Sequence, residues 1–293
     1  MLSALPAELA NIRCYVLAKY LDDLPGCNKE SVEASLRAHS PKLEREEARA
    51  NRPEFIPILT ANLILEKLQE ADDHKALGLL YGPPGIGKTF AIEEFIDRVE
   101  KQNDLEKPGV LLLAAHSAST PKSLMAALRV QAGIAHQATA STLAEGLVRK
   151  LITGHYLTIV DEANHLNIEA MELLRYVYDL GRLGEILLGT LRLYEVYTDG
   201  SRPARELEQL WSRVGICELL PGLMEHEARQ MIQKALGRIP ESTTKQILRK
   251  TGNSIRRITN LLERLQELTK ISEDRDVTDL VPVAREITLH STH

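Results

Sequence analysis

The chain has 293 residues and a mass of 32.7 kDa, and 44% of its residues are hydrophobic while 26% are charged. This composition excludes a mostly disordered chain, because it supplies enough apolar surface to offset the conformational entropy that folding removes. The net charge of −5 argues against a protein whose whole surface coats nucleic acid, although it leaves room for a local basic stripe.

The cysteines and the N-terminus bear on the compartment in which the protein works. Cys14, Cys27 and Cys217 are widely separated, which argues against a disulfide framework or a zinc site and favours a reducing environment. The first residues show no basic and apolar leader pattern, and no apolar run approaches the ~20 residues of a membrane span. We therefore expect a cytoplasmic protein without a membrane segment.

Taken in chain order, the first predicted element is an N-terminal helical segment, residues 1–51. Apolar residues recur there at helical spacing between Leu5 and Leu21, before Pro25 and Gly26 interrupt the pattern. From about Ala76, short apolar runs alternate with helical stretches, which predicts an α/β fold with a five-stranded parallel sheet flanked by helices. The predicted strands are 77–81, 110–115, 157–160, 185–189 and 215–219.

The C-terminal part of the chain returns to helical periodicity after Pro221 and Gly222. Apolar residues between Ile255 and Leu268 mark one face of a helix, and the region has room for about four helices. We therefore divide the chain into the N-terminal segment (1–51), an α/β core (52–222) and a small helical lid (223–293).

The strongest motif lies between the first predicted strand and the helix predicted at 90–99. Residues 82–89 read G-P-P-G-I-G-K-T and match the phosphate-binding loop pattern G-x-x-x-x-G-K-[ST]. Glycines let backbone N–H groups converge on phosphate oxygens, and the following helix adds its positive N-terminal dipole. We expect Lys88 to bridge the β- and γ-phosphates of ATP and Thr89 to bind Mg²⁺. The expected ATP-binding residues of this loop are Gly82, Pro83, Pro84, Gly85, Ile86, Gly87, Lys88, Thr89 and Phe90.

A second motif ends the third predicted strand, where Asp161 and Glu162 follow the apolar run 157–160. We expect Asp161 to hold Mg²⁺ through its water shell and Glu162 to polarise the attacking water as a general base. An acidic turn after a strand is common by itself. About seventy residues after a phosphate-binding loop, however, the pair favours ATP hydrolysis.

Together these motifs resemble those of the AAA+ ATPases. A glutamate directly after the aspartate, as in Asp161–Glu162, resembles the pattern of the P-loop ATPase division that has an additional strand and a catalytic glutamate. Within that class the chain is similar to the transposon-encoded regulators, the group of the Mu phage transposition protein B and of TnsC and TniB. Asn164 stands where the group usually has an aspartate, and we expect it not to touch catalysis directly. The resemblance extends from residue 52 to 268 and is carried by segments 52–57, 160–166, 187–192, 210–214 and 252–261.

The resemblance implies that residues outside the two motifs also act on ATP. Thr190 occupies the place where the family has a polar residue that senses the γ-phosphate, although a strand cap explains it nearly as well. Arg213 occupies the place of an arginine finger that reaches the ATP of a neighbouring subunit, with Arg205 and Arg202 as alternatives. A guanidinium suits that role because its charge is permanent and its planar fork matches phosphate oxygens.

The lid contributes two further candidates. Arg256 and Arg257 begin the helix that follows Gly252, and the resemblance implies that one of them reaches the γ-phosphate from the lid. The two arginines are adjacent, so the sequence leaves the choice between them open.

The resemblance also implies an oligomer, either a ring or a helical filament, that assembles with ATP around double-stranded DNA. This assembly would recruit or activate a transposase, together with a target-selection protein, and hydrolysis would take it apart. The loop after the second strand would contact the DNA backbone through Ser119, Thr120 and Lys122. A lysine beside small hydroxyls at a helix N-terminus suits phosphate binding, but an ordinary capped helix explains the same residues equally well.

Two other functions stay open. An AAA+ helicase loader would share the ATP site and act on single strands, so that strand preference separates it from a transposition regulator. An ATP-gated signalling or interaction module would hydrolyse ATP slowly, and a lack of DNA-stimulated assembly would favour it.

Overall fold

The computed structural model describes residues 55–102, 109–134, 147, 149–198, 207–252 and 254–271. The chain divides into two compact units, Met1–Phe55 and Ile56–His293, and every element described below lies in the second. The N-terminal helical segment predicted at 1–51 lies outside the described residues, as do Arg202 and Arg205. Among the described residues, no helix is long and apolar enough to cross a membrane.

Strands and helices alternate through the first part of this unit. The strands are β1 Leu77–Tyr81, β2 Gly109–Ala114, β3 Tyr156–Asp161, β4 Gly184–Gly189 and β5 Val214–Leu219. The helices are α1 Leu59–His74, α2 Lys88–Gln102, α3 Pro121–Gln131, α4 Ile168–Gly181, α5 Leu191–Thr198, α6 Glu208–Trp211, α7 Glu225–Leu236, α8 Glu241–Thr251 and α9 Ile255–Ile271. A short 3₁₀ turn, Ala163–His165, follows β3.

The five strands form one parallel sheet in the order β2-β3-β4-β1-β5, which confirms the predicted fold class. The strands begin and end within one residue of their predicted limits. The additional strand β4 lies between β1 and β3. The loop after β4 therefore emerges between the phosphate-binding loop 82–89, called the P-loop below, and the pair Asp161–Glu162, called the acidic motif. Ligands bind at the carboxyl ends of the strands in such sheets, and both motifs follow strands at that edge.

The core is aliphatic, as expected from a composition with 4% aromatic residues. Every residue of β4 is buried, because the sheet is covered on both faces. Helix α4 packs with residues at helical spacing, and Asn167 caps its N-terminus by accepting a hydrogen bond from Ala170 N at 2.9 Å. Its buried residues are Ala170, Met171, Leu174, Val177 and Gly181.

Helices α7, α8 and α9 form the helical lid, whose apolar faces pack on one another. The described residues of the predicted lid contain three helices, and residues 272–293 of that region lie outside the described part of the chain. The buried carboxylate of Glu227 connects the lid to the core. It accepts hydrogen bonds from Leu59 N at 2.6 Å and Met224 N at 2.9 Å, so that one side chain satisfies the first amide of α1 and the amide that precedes α7.

Candidate functional site

The P-loop connects the end of β1 to the start of α2. Gly85 and Gly87 have φ angles of +76° and +83°, in the left-handed region that glycine adopts without a steric cost. A Cβ at Gly85 would also lie 2.8 Å from Ser254 Oγ, because the lid approaches the loop closely there. Helix α2 begins at Lys88 rather than at the predicted residue 90, so the last two motif residues form its first turn. The loop therefore presents its curled backbone and a helix N-terminus at one place, as phosphate binding requires.

Lys88 is buried at the base of this loop, with 6% of its surface exposed. Its ammonium group donates to Pro83 O at 3.0 Å and lies 3.4 Å from Gly82 O. Burial lowers the pKa of Lys88, whereas the carboxylates of Glu162 and Asp161 act to raise it. The lysine is thus a positive group in a partly desolvated position, where an anionic phosphate would be bound strongly.

The P-loop and the acidic motif meet in a direct hydrogen bond. Thr89 Oγ1 donates to Asp161 Oδ2 at 2.6 Å, although 72 positions separate the two residues along the chain. Asp161 is itself buried, with 6% exposure, at the end of β3. A hydroxyl and a carboxylate are the hard oxygen ligands that suit Mg²⁺, so these two residues fit the ion that accompanies ATP. When bound, Mg²⁺ neutralises negative charge on the phosphate oxygens.

Glu162 adopts an unusual backbone conformation immediately after β3. Its φ and ψ are +54° and +34°, and its amide donates to Asp161 Oδ1 at 2.9 Å. A non-glycine residue in this region carries a conformational cost of about 1–3 kcal/mol, and such residues concentrate at functional sites. The side chain is 44% exposed and its Oε2 lies 4.0 Å from His165 Nε2. Glu162 is therefore the carboxylate of the motif that water can reach.

Thr190 follows β4 and lies between the two motifs. It lines a cleft of about 420 Å³ with residues of the P-loop and of the end of β5. The half-exposed side chains of Leu191 and Leu219 make this cleft largely apolar. The other residues of the cleft are Gly82, Pro83, Pro84 and Arg192.

The lid places its two adjacent arginines differently. Arg256 N lies 3.4 Å from Gly85 O, and the Arg256 guanidinium contributes to the lowered pKa of Lys88. Arg257 instead turns toward Gly252, where its Nη1 lies 4.0 Å from the position of a Cβ on that glycine. Of the two arginines, Arg256 is therefore the one whose backbone amide lies against the P-loop.

Arg213 lies at the opposite end of the sheet. It immediately precedes β5, whose first residue Val214 pairs with Leu77 at the start of β1. The five residues of β1 separate it from the P-loop by about 16 Å, so its side chain cannot reach the ATP site of its own chain. Its guanidinium donates from Nε to Asp179 Oδ1 at 2.6 Å, and its side chain is 33% exposed.

The three residues expected at DNA begin helix α3. Ser119 is buried and its Oγ accepts from His116 N at 3.0 Å, whereas Thr120 Oγ1 caps the helix by accepting from Ser123 N at 3.2 Å. Both hydroxyls therefore serve the local loop. Lys122 is exposed and is the charged member of the three.

Sequence reasoning overlooked two residues that connect parts of this site. Glu227 joins the lid to α1, and its only signal was an acidic residue in the first turn of a predicted helix. Asn164 Oδ1 accepts from Thr190 N at 2.9 Å, although it was noted only as a departure from the family motif.

Comparisons with known proteins agree with this geometry. A family model described as an AAA domain matches residues 71–197. The Mu-like prophage FluMu DNA transposition protein B of Haemophilus influenzae is 32% identical over 213 residues, which cover 71% of either chain. The ATP-dependent target DNA activator B of Escherichia phage Mu is 26% identical over 199 residues, which cover 68% of this chain and 61% of the phage protein.

Solved structures show the same fold. The chain resembles Cdc6p from Pyrobaculum aerophilum with a TM-score of 0.57 and 12% identity, over 76% of this chain and 65% of that one. Domain III of the replication initiation protein DnaA from Thermotoga maritima follows with a TM-score of 0.50 and 15% identity, over 78% and 92% of the two chains. At these identities the likeness concerns the fold alone. The sequence match to the Haemophilus protein is what shows the family: the chain belongs to the AAA+ family of Mu-like DNA transposition proteins B.

Proposed function

We propose that this protein is an ATPase that binds double-stranded target DNA as an oligomer and recruits or activates a transposase. ATP binding drives assembly and hydrolysis drives disassembly, so that the ATP cycle controls where insertion occurs. The hydrogen bond of 2.6 Å between Thr89 and Asp161 carries the ATPase part, because it brings the P-loop and the acidic motif to one point beside the exposed Glu162. The names of the relatives, which describe an ATP-dependent target DNA activator and a DNA transposition protein, support the transposition part.

Within the site, each residue has a distinct task. Lys88 and the backbone of the P-loop bind the phosphates, while Thr89 and Asp161 hold Mg²⁺. Glu162 accepts the proton of the attacking water, which its exposure to solvent permits. Thr190 and Arg256 face the γ-phosphate from β4 and from the lid.

Arg213 acts on the ATP of a neighbouring subunit. Its position at the far end of its own sheet makes this the only way in which it contributes to hydrolysis. Hydrolysis therefore depends on assembly in this proposal.

Electron microscopy of negatively stained samples tests the proposal. The chain is incubated with a slowly hydrolysed ATP analogue, with or without double-stranded DNA. We expect rings or filaments that need both the nucleotide and the duplex, and none with a Lys88→Ala variant. Assembly on single strands alone would favour a helicase loader, and monomers in every condition would refute the transposition function while leaving the ATPase open.

The DNA contact has its own test at Lys122. Replacing this exposed lysine by alanine removes one phosphate contact, so the slope of log affinity against log salt concentration should fall by about 1. Lys150, which is also exposed and precedes β3 rather than following β2, is the matched control. An unchanged slope in the Lys122 variant would move the DNA surface elsewhere.

A further inference from the structure

A single peptide group, the one between Gly189 and Thr190, connects the P-loop to the acidic motif. Its carbonyl oxygen accepts a hydrogen bond from Gly82 N at 3.1 Å, at the beginning of the P-loop. Its N–H group donates to Asn164 Oδ1 at 2.9 Å. The peptide group is therefore held from both sides, and on the side of the acidic motif the Asn164 side chain makes the connection.

Asn164 is connected to Glu162 through the short turn that follows β3. It is the middle residue of the 3₁₀ turn Ala163–His165, whose last amide donates to Glu162 O at 3.0 Å. Ala163, the first residue of this turn, is fully buried in the hydrophobic core. The turn is therefore held in place directly after Glu162, whose backbone is left-handed. A displacement of Asn164 thus shifts the turn that sets where the Glu162 carboxylate points.

The end of β4 is shaped to accept this side chain. A Cβ on Gly189 would lie 2.8 Å from Asn164 Oδ1 and 2.9 Å from Leu193 Cδ2. Distances below 3.0 Å cannot be accommodated without movement, so the absence of a side chain at Gly189 is what lets the amide oxygen reach Thr190 N. Gly189 and Asn164 therefore form a matched pair at the point where β4 passes between the two motifs.

We propose that Asn164 is a positioning residue for ATP hydrolysis. It fixes the spacing between Glu162 and the P-loop through the Gly189–Thr190 peptide group, and it does not contact the reacting atoms. This inference rests on the proposed ATPase function, and it gives Asn164 a task that is separate from nucleotide binding. An error of about 1 Å in the placement of a catalytic group costs as much as 10²-fold in rate, so the position of this turn matters for turnover.

Two substitutions at Asn164 separate the hydrogen bond from the size of the side chain. In Asn164→Ala the acceptor for Thr190 N is lost, and we expect kcat to fall about tenfold or more while the affinity for ATP changes less than about threefold. Asn164→Asp keeps an oxygen at the same position, so most of the turnover should be restored. A KM that rose with an unchanged kcat would contradict the positioning role.

Asn167→Ala is the matched control for the loss of an asparagine cap. Asn167 Oδ1 also accepts a backbone amide at 2.9 Å, but that amide belongs to Ala170 in helix α4. Both alanine variants lose one hydrogen bond of the same length from a backbone amide to an asparagine side chain, so we expect similar decreases in Tm. Only Asn164→Ala should lower kcat and speed amide hydrogen exchange in residues 187–192.

The outcomes distinguish this inference from the function on which it rests. A wild-type chain that hydrolyses ATP beside an Asn164→Ala variant with the same kcat would overturn the positioning role alone. Equal losses of kcat in the Asn164 and Asn167 variants would overturn it as well, since the effect would then be one of stability. A wild-type chain with no more turnover than Lys88→Ala would refute the ATPase function itself.

Discussion

The two ends of the β-sheet use charged residues in opposite ways. At the carboxyl end, Lys88 donates to carbonyl groups of its own loop, and Glu162 is exposed in a strained backbone conformation. At the amino end, Arg213 and Arg175 both pair with Asp179, at 2.6 and 2.8 Å. The carboxyl end thus keeps a positive group and a carboxylate available to a ligand, whereas these two arginines at the amino end are paired within the chain.

For buried polar groups the contrast between the two ends is reversed. Asp161, at the carboxyl end of β3, is paired with Thr89. Glu185, near the amino end of β4, is completely buried, and neither of its carboxylate oxygens has a hydrogen-bond partner among the residues that the structure describes. Thr158, which stands opposite Glu185 in the register of β3 and β4, also has a buried hydroxyl with no hydrogen-bond partner in the described part of the chain. The buried carboxyl group at the carboxyl end is thus hydrogen-bonded within the proposed site, whereas the one at the amino end lowers the stability of the fold.

Among these predictions, the largest effect is expected from removing the ammonium group of Lys88, which should abolish ATP binding at the carboxyl end of the sheet. The Lys88→Ala variant loses the buried positive charge that attracts the phosphates, so we expect no measurable binding of a fluorescent ATP analogue. Arg98→Ala, on the exposed face of the same helix, is the control and should bind normally. Retained ATP affinity in the Lys88 variant would remove this residue from its assigned role.

A change at Glu162 should separate binding from hydrolysis. Glu162→Gln keeps the shape of the side chain but cannot accept a proton, so turnover should fall by about 10²–10⁴-fold while ATP binding persists. The assembled form should accumulate on DNA, which light scattering would detect. Rapid turnover in this variant would refute the general-base assignment.

At the amino end, Arg213 has two possible tasks that one pair of variants distinguishes. A charge-assisted hydrogen bond contributes about 1.5–3 kcal/mol, so loss of an arginine finger in Arg213→Ala should lower assembly-dependent turnover by about 10–100-fold. ATP binding by the unassembled chain should be unchanged. Asp179→Asn breaks the same ion pair but keeps the guanidinium, and it should retain turnover.

The comparison of these two variants decides between the tasks. Equal losses of turnover would mean that Arg213 serves only as the structural partner of Asp179. Unchanged turnover in both variants would direct attention to Arg205 or Arg202.

The smallest expected effect concerns Glu185 and stability. Burial, with a smaller contribution from the nearby Asp179, raises the pKa of Glu185 well above 4.5. The folded protein then holds a proton that the unfolded chain releases, so the free energy of unfolding falls as pH rises above about 4.5. Glu185→Met removes the unpaired carboxyl and should stabilise the protein at neutral pH by about 1–3 kcal/mol.

Glu185→Gln is the control for this effect. A glutamine cannot titrate, so the free energy of unfolding should depend less on pH. Its amide stays unpaired, however, so the gain in stability should be smaller than in Glu185→Met. Denaturant unfolding between pH 5 and pH 8 measures both variants. If the free energy of unfolding changed with pH equally in the wild type and in Glu185→Gln, the Glu185 carboxyl group would not be the cause of the pH dependence of stability.

Much of the fold could be predicted because neighbouring residues in the sequence determine where each strand and helix forms. Each strand is a short apolar run between turn residues, and these limits are accurate to within one residue. Helix α2 was predicted two residues too late, because Lys88 and Thr89 belong to its first turn but carry no apolar periodicity. The same locality explains why the P-loop and the acidic pair were recognised as motifs.

The sequence by itself determined the fold class, the family and the two motifs, because residue types at fixed spacing specify a phosphate-binding turn and an acidic strand end. Only the tertiary structure decided how these parts meet. The insertion of β4 between β1 and β3 brings Thr190 to Asn164, and the approach of the lid brings the backbone amide of Arg256 to Gly85 O in the P-loop. The Thr190–Asn164 and Arg256–Gly85 hydrogen bonds join residues that are 26 and 171 positions apart, so they depend on strand order and packing rather than on any local pattern.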